Sequence, residues 1–197
     1  MTEMGPVARF FVNLRATRNS RRRYEWMSQH WRLPAHPRCL EIGCGNGEFA
    51  AAAISGLDPE QFIATDLDPR QIELARRHLA RRYVQGLPSS LILRTADMLS
   101  LPFPDASFHA TFAFNVLHHT GEDRHDPTNL PKALAELDRV LRPGGNLAYA
   151  EFLHTDQIRR WLLDRGYVIL AEQGRRRGEL VVSAKPAPSV ASDPPRT

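Results

Sequence analysis

Short apolar runs alternate along this chain with longer segments in which apolar residues recur every three or four positions. Short runs bounded by polar turns are typical of buried strands, and the longer spacing is typical of helices that bury one side. The clearest helix covers 130–142, where one apolar stripe is followed by Pro143-Gly144-Gly145. The pattern predicts strands at 39–43, 62–66, 91–95, 110–114, 146–152, 167–172 and 179–184, and further helices at 47–57, 69–83 and 156–165.

The repeated strand–helix units predict the class of fold. Each crossover returns the chain so that successive strands lie parallel. The last two strands are separated only by QGRRRG, which indicates a closing hairpin. We therefore expect a doubly wound, Rossmann-like α/β domain whose seven-stranded sheet is mostly parallel and ends in an antiparallel C-terminal hairpin strand.

Three regions follow one another along the chain. Residues 1–37 form a basic extension, expected to be helical and to cover the acceptor side as a lid; residues 38–185 form the alternating domain. The tail, 186–197, has four of the fifteen prolines and no large apolar residue, so we expect it to be disordered. Eight arginines lie in the first 38 residues, where the net charge is +6, against +4 for the whole chain. A solvated helical surface explains this charge more simply than binding to nucleic acid or an anionic lipid surface.

Composition points to an ordinary intracellular globular protein. The longest apolar run, 49–54, is far shorter than the roughly 20 residues of a membrane helix. The chain does not open with a signal-peptide pattern, and Cys39 and Cys44 fit buried thiols in a reducing compartment. We expect a cytoplasmic protein without a transmembrane segment.

The glycine-rich segment between the first strand and the first helix carries the clearest chemical signal. Its sequence runs from Glu41 to Gly47 with glycines at every second position, which allows a tight turn and a close approach of backbone N–H groups to a ligand. A dinucleotide fingerprint would need a small residue at position 48, but Glu48 stands there. Its carboxylate would face a pyrophosphate and repel it.

A second acid, Asp66, ends the second strand. In doubly wound folds an acid at this place accepts hydrogen bonds from ribose hydroxyls. Asp66 would thus accept hydrogen bonds from a ribose, beside a glycine turn where the carboxylate of Glu48 disfavours phosphates. Together they suggest a nucleoside ligand with a cationic group. S-adenosylmethionine has this chemistry.

At this point the chain resembles the class I S-adenosylmethionine-dependent methyltransferases, in particular small-molecule enzymes of the ubiquinone and menaquinone methyltransferase type. The resemblance covers roughly residues 38–185. It rests on segments in the right order and spacing: ExGxGxG at 41–47, Asp66, Ala96-Asp97-Met98, LPFPDASF at 101–108, NVLHH at 115–119 and LRPGG at 141–145.

The resemblance implies a role for each matching residue. The turn Gly43-Cys44-Gly45 would pass beneath the methionine part of the cofactor, with Glu41 anchoring the turn or reaching the amino group. Asp66 would bind the ribose, and Leu67 and Met98 would pack on the adenine. Asp97 would accept a hydrogen bond from the adenine amino group, and Asn115 would lie near the methionine end. Alternatives remain: Leu67 and Met98 as core residues, and Asp97 as a cap of a turn.

The polar cluster between His118 and Asp126 matches no standard metal-ligand spacing, so we expect no metal. A methyl transfer of this kind needs aligned reactants, and it needs a base only if the acceptor loses a proton. His119 could be that base or could position the acceptor, so no catalytic residue is assigned.

Three functions remain open. The leading hypothesis is direct methyl transfer to a small molecule. The second is methylation of RNA or protein, which the NVLH segment disfavours because amino-nitrogen acceptors are associated with NPPY or DPPY there. The third is a non-catalytic module that binds the cofactor. The sequence leaves the acceptor, the methylated atom and the oligomeric state undetermined.

Overall fold

A computed structural model describes residues 20–120, 128–174 and 178–187. Its strands are β1 (Arg38–Ile42), β2 (Gln61–Asp66), β3 (Leu91–Thr95), β4 (Phe108–Phe114), β5 (Leu141–Glu151), β6 (Val168–Gln173) and β7 (Glu179–Ala184). Its helices are α1, described over 20–27, then α2 (Glu48–Leu57), α3 (Pro69–Arg82), α4 (Asn129–Val140) and α5 (Thr155–Asp164). A short 3₁₀ helix covers Leu117–His119.

The strands form one sheet with the order β3-β2-β1-β4-β5-β7-β6. Strands β1 to β5 pair in parallel, and β7 runs antiparallel between β5 and β6. The predicted fold, a seven-stranded mostly parallel sheet with an antiparallel C-terminal strand, is confirmed. The strand order reverses between β1 and β4, and ligands bind such sheets in the crevice at the carboxyl ends of the strands on either side of that point.

Helices cover both faces of the sheet because alternate strand residues point to opposite sides. On one face, α4 and α5 pack through residues such as Leu134, Leu137 and Trp161. On the other, α1, α2 and α3 contribute Met27, Phe49 and Leu79. The two apolar layers fix the sheet between them, so the ends of its strands are held at defined places.

The ends of the helices follow from local chemistry, with one correction. The side chain of Asp68 accepts a hydrogen bond from the Arg70 N–H before Pro69 opens α3, as expected of an N-cap. Helix α4 was predicted to continue to residue 142 but ends at Val140. Proline disfavours a helical conformation in the residue before it, and Nζ of Lys185 donates to the carbonyl oxygens of Asp138 and Leu141, at 2.7 and 3.0 Å.

Helix α1 is packed into the domain. Met27 is fully buried, and the ring of Trp31 lies 5.8 Å from that of Phe112 in β4. Tyr24 occupies the space over Gly56 of α2, where an added Cβ would lie 1.9 Å from the tyrosine Oη. Part of the predicted extension 1–37 therefore belongs to the core. Residues 1–19, and the tail from residue 188 onward, lie outside the described residues, so the domain boundaries and the disordered tail stay predictions.

In the described part of the chain, no helix combines the length and the apolar character needed to cross a membrane. Cys39 and Cys44 are buried free thiols, as expected. Burial raises the pKa of the Cys39 thiol to about 12 and also raises the pKa of Cys44.

Candidate cofactor and acceptor site

The turn after β1 is built on glycines with left-handed backbone. Gly43, Gly45 and Gly47 have φ angles of +64°, +53° and +78°, which other residues adopt only with strain. The turn is fastened to β2, because the N–H of Cys44 donates to the carbonyl oxygen of Thr65 at 2.8 Å. The conformation explains why glycines recur at every second position in this segment.

Asp66 lies beside this turn at the end of β2. Its Oδ2 accepts a hydrogen bond from the N–H of Gly45 at 3.0 Å, and its Oδ1 accepts one from the N–H of Asp68 at 3.1 Å. An ionised carboxylate offers about four acceptor positions, so both oxygens can still accept from a ligand. The same carboxylate thus shapes the glycine turn and presents acceptors at the edge of the sheet.

Glu41 is buried beneath the turn, with only 3% of its surface exposed. Its Oε2 accepts no hydrogen bond from any residue that the structure describes. Burial raises the pKa of this carboxyl well above its ordinary value, and Asp66 raises it further, while Arg23 of α1 opposes the shift. A buried carboxylate with an unfilled acceptor position is costly unless a donor or a cation reaches it.

The other predicted cofactor residues lie after neighbouring strands. Leu67 is 63% exposed, so its interpretation as a core residue is wrong. Asp97 does cap a turn, since its Oδ1 accepts from the N–H of Leu99 at 2.8 Å. Met98 is partly buried and packs on the core. Asn115 follows β4 with a φ of +51° and borders a cavity. Their roles toward the cofactor remain predictions.

Glu48 does not face the mouth of the turn. Its Oε1 lies 2.5 Å from Nε2 of His78, so this buried side chain is turned toward α3. The expectation that its carboxylate would face a pyrophosphate is wrong. Glu48 directly follows Gly47 and is the first residue of α2, and its side chain extends toward the neighbouring helix α3.

A glutamate–histidine pair lies at the ends of β4 and β5. The carboxylate of Glu151, which is 1% exposed, accepts hydrogen bonds from the N–H groups of Val116 and Leu117 at 2.6 and 2.7 Å. Its other oxygen lies 2.8 Å from Nδ1 of His118. The carboxylate therefore caps the 3₁₀ helix and orients the imidazole, whose ring packs against Phe152 at 4.6 Å.

A cavity of about 460 Å³ opens beside Glu151, the member of this pair that lines it. Arg23 and Trp26 of α1 line it together with Asn115, Glu151 and Phe152 from the ends of β4 and β5, and its far side is closed by residues of the β6–β7 hairpin. Its size falls in the range of small-molecule sites. The cavity is next to the predicted cofactor residues and is separate from the glycine turn.

Sequence reasoning did not identify Glu151, His118 or Arg23 as members of the site. The signal for Glu151 was an acid at the end of an otherwise apolar strand, which is where ligand-binding residues of these sheets occur. No group of three metal-ligating side chains occurs among the described residues. Most of the polar cluster that the sequence raised as a metal site falls on 121–127, outside those residues.

Comparison with known proteins places these features in a family. Residues 40–149, more than half of the chain, match the family described as methyltransferase domain. The 27-O-demethylrifamycin SV methyltransferase of Amycolatopsis mediterranei is 36% identical over 61% of this chain and 40% of its own length. The demethylmenaquinone methyltransferase of Bacteroides fragilis is 32% identical over 66% of this chain and 49% of its own length. The chain thus spans less than half the length of these relatives.

Solved structures share the fold at low sequence identity. The cyclase SpnF superposes with a TM-score of 0.68 at 19% identity, over 85% of this chain and 81% of its own. An S-adenosylmethionine-dependent methyltransferase from Aquifex aeolicus gives 0.63 at 18% identity, over 82% and 88%. These likenesses concern architecture alone. The match over residues 40–149 shows that the chain belongs to the methyltransferase domain family, of the class I S-adenosylmethionine-dependent type.

Proposed function

We propose that the protein transfers a methyl group from S-adenosylmethionine to a small molecule, at an atom that gives up a proton to His118. The hydrogen bond between Glu151 and His118, beside a cavity at the ends of β4 and β5, carries this proposal. Family membership supports S-adenosylmethionine as the methyl donor. The pair of Glu151 and His118 supports an acceptor atom that must lose a proton during the reaction.

The residues at the glycine turn fit this donor. Glu41 Oε2 is a buried acceptor without a partner among the described residues, and an ammonium group would satisfy the hydrogen bonding and the charge of the ionised carboxylate. Asp66 retains acceptor positions for ribose hydroxyls. The residues that would hold the donor are Glu41, Gly43, Cys44, Gly45, Asp66, Leu67, Asp97, Met98 and Asn115. When bound, S-adenosylmethionine supplies a methyl group already activated by its sulfonium.

The protein's own contribution is alignment and proton transfer. In the tautomer that donates Nδ1–H to the Glu151 carboxylate, His118 carries its lone pair on Nε2, where it can accept a proton. Burial of Glu151 holds that tautomer and ring orientation. His118 would take the proton of the acceptor atom as the bond between that atom and the methyl carbon forms. Glu151 would act as a positioning residue.

The relatives favour a small acceptor over RNA or protein. They are named for acting on demethylrifamycin, on demethylmenaquinone and, for a Mycobacterium leprae relative 34% identical over 64% of this chain, on phthiotriol dimycocerosates. Another, from Penicillium expansum, is named an O-methyltransferase. Methylation of a hydroxyl oxygen releases a proton, which agrees with a histidine base.

A methyl-transfer screen with isotopically labelled donor, against metabolite, lipid and RNA extracts, tests the proposal. We expect label in small molecules. Label only in RNA or protein would contradict the proposed acceptor class, and donor binding without label in any extract would favour the non-catalytic module.

Variants test the base. His118→Ala should lower kcat by roughly 10²–10⁴-fold while the Kd for the donor changes little. Added imidazole should restore part of this activity, which a purely structural role would not allow. Glu151→Gln should lower kcat less, and His119→Ala tests the other candidate base, whose ring centre lies 3.9 Å from that of His118. If His118→Ala keeps full activity, His118 is not the base.

A further inference from the structure

Arg23 has an unusual environment on the wall of the cavity. It lies partly buried on the inner side of α1, and its guanidinium carbon is 5.5 Å from the centre of the Phe114 ring. Among the residues that the structure describes, no hydrogen bond or ion pair joins its guanidinium to any carboxylate or carbonyl. Burial lowers the pKa of Arg23, against the attraction of Glu151 and Glu41. This is a desolvated cation with unfilled donors.

The two carboxylates that line the cavity with Arg23 are held by other groups, and Glu41, which also attracts Arg23, lies beneath the glycine turn outside the cavity wall. Glu151 already receives two backbone N–H groups and the imidazole of His118. Glu179, across the cavity, accepts from the Tyr149 hydroxyl at 2.5 Å. Neither side chain is within ion-pair distance of the guanidinium. Since a guanidinium presents five N–H donors in a rigid fork, the donors that border the cavity remain available to a ligand.

The rest of the cavity wall indicates what such a ligand carries. Trp26 and Phe152 line the same space, and Phe152 is 51% exposed although it is a large apolar residue. Aromatic walls favour flat, apolar ligands, and the volume of about 460 Å³ suits a small ring system. A guanidinium suits a planar oxyanion, which it can bind through two parallel hydrogen bonds.

We infer that the cavity binds an aromatic acceptor bearing an anionic oxygen group, with the oxyanion on Arg23 and the ring against Trp26 and Phe152. That this ligand is the methyl acceptor rests on the proposed function. Its chemistry rests on the cavity alone. A ring carboxylate and an acidic phenolate share that chemistry.

Binding of three simple probes tests the inference without turnover. Naphthoate, dinitrophenolate and the neutral naphthalenemethanol are titrated by calorimetry into the full chain, with and without S-adenosylhomocysteine. We expect naphthoate to bind roughly 10-fold or more tightly than naphthalenemethanol, as a charge-assisted hydrogen bond requires. The affinities of naphthoate and dinitrophenolate, compared with each other, show whether the cavity prefers a carboxylate or a phenolate.

Substitutions assign the preference to its residue. Arg23→Gln should abolish the preference for the anions, and Arg23→Lys, which keeps the charge without the fork, should reduce it several-fold. The control is Arg21→Gln, two residues away on α1 and outside the cavity, where Arg21 pairs with Glu25. Thermal unfolding checks that each variant is folded. If Arg23→Gln does not fold, the binding preference of Arg23→Lys decides the test.

Two results would overturn the inference: equal affinity for naphthoate and naphthalenemethanol, or an anion preference that survives loss of the guanidinium. Failure of the proposed function has a different signature. A protein that does not bind S-adenosylhomocysteine, or transfers no methyl group, contradicts the methyltransferase proposal, while the probe preference still reports on Arg23.

Discussion

Val116 lies directly against the backbone of Gly43. A Cβ built on Gly43 would be 2.2 Å from Cγ2 of Val116 and 2.7 Å from its Cβ, far inside van der Waals contact. The glycine turn after β1 and the segment after β4 are therefore packed together without room for a side chain. Since Glu151 accepts the N–H of Val116, the contact also joins the turn to the glutamate–histidine pair.

Gly43→Ala should destabilise the protein by about 2–5 kcal/mol, because the added methyl group meets Val116 and the residue must keep a left-handed φ. Denaturant unfolding measures the loss. We also expect weaker binding of S-adenosylmethionine, since the turn must shift to relieve the contact.

Gly45→Ala is the matched control. Gly45 has a similar φ of +53°, but nothing lies within 4 Å of an added Cβ. Its cost should be only about 1–2 kcal/mol, from backbone strain alone. Equal costs for the two substitutions would mean that the contact with Val116 is relieved easily and does not couple the two segments.

Asp66→Asn should weaken binding of S-adenosylmethionine by about 1–3 kcal/mol, because the amide has lost one acceptor oxygen and the charge that favour ribose hydroxyls. Calorimetry on the folded variant gives the change in Kd. Asp68→Asn provides the control, since asparagine is an equally good N-cap for α3 and Asp68 is not assigned to the cofactor. An unchanged Kd for Asp66→Asn would show that the ribose is held elsewhere.

The hydrophobic pattern was sufficient to predict the order of elements. The bounds of β3 and β7 agree with the predicted strands 91–95 and 179–184 because each is a short apolar run between polar turns. The start of β5 was missed: it begins at Leu141, five positions before the predicted 146–152. Leu141 pairs with Phe108 across an irregular step in β4, and such pairing depends on the neighbouring strand and not on the local pattern.

The candidate site was predictable where one segment carries its signal, as in the glycine turn and Asp66. It was not predictable where two distant segments must meet. Glu151 and His118 are 33 positions apart, and their hydrogen bond exists because β4 and β5 are adjacent in the sheet. The sequence predicted that the basic extension 1–37 covers the acceptor side, but it did not single out Arg23, whose place on the cavity wall depends on how α1 packs against the sheet.

Met27→Ala should cost about 2–5 kcal/mol of stability, since a fully buried side chain would leave a cavity between α1 and the sheet. Chemical unfolding measures this, with Val84→Ala, at a residue 89% exposed, as the control expected within about 0.5 kcal/mol of wild type. A truncated chain beginning at Leu33 removes Met27 as well, so it should be less stable. A loss below 1 kcal/mol for Met27→Ala would mean that α1 is only loosely attached.

Glu41→Gln should change how stability depends on pH. Burial holds the pKa of Glu41 well above the ordinary 4.5 of the unfolded chain. Unfolding therefore releases a proton between those two values, and wild-type stability falls as pH rises through that interval. The glutamine variant lacks this dependence, so its free energy of unfolding relative to wild type should increase from pH 5 to pH 8. Glu25→Gln, at an exposed residue of α1, is the control for the substitution itself.

Binding of the donor should also change the ionisation of Glu41. If the ammonium group of S-adenosylmethionine reaches Glu41, binding stabilises the ionised carboxylate and lowers its pKa, so a proton should be released at pH values below the raised pKa of the free protein. Below the raised pKa of Glu41, the calorimetric enthalpy of binding should then depend on the ionisation enthalpy of the buffer in wild type and much less in Glu41→Gln, whose affinity should also be lower. An enthalpy independent of buffer, together with an unchanged Kd in the variant, would show that Glu41 only supports the turn and does not meet the donor.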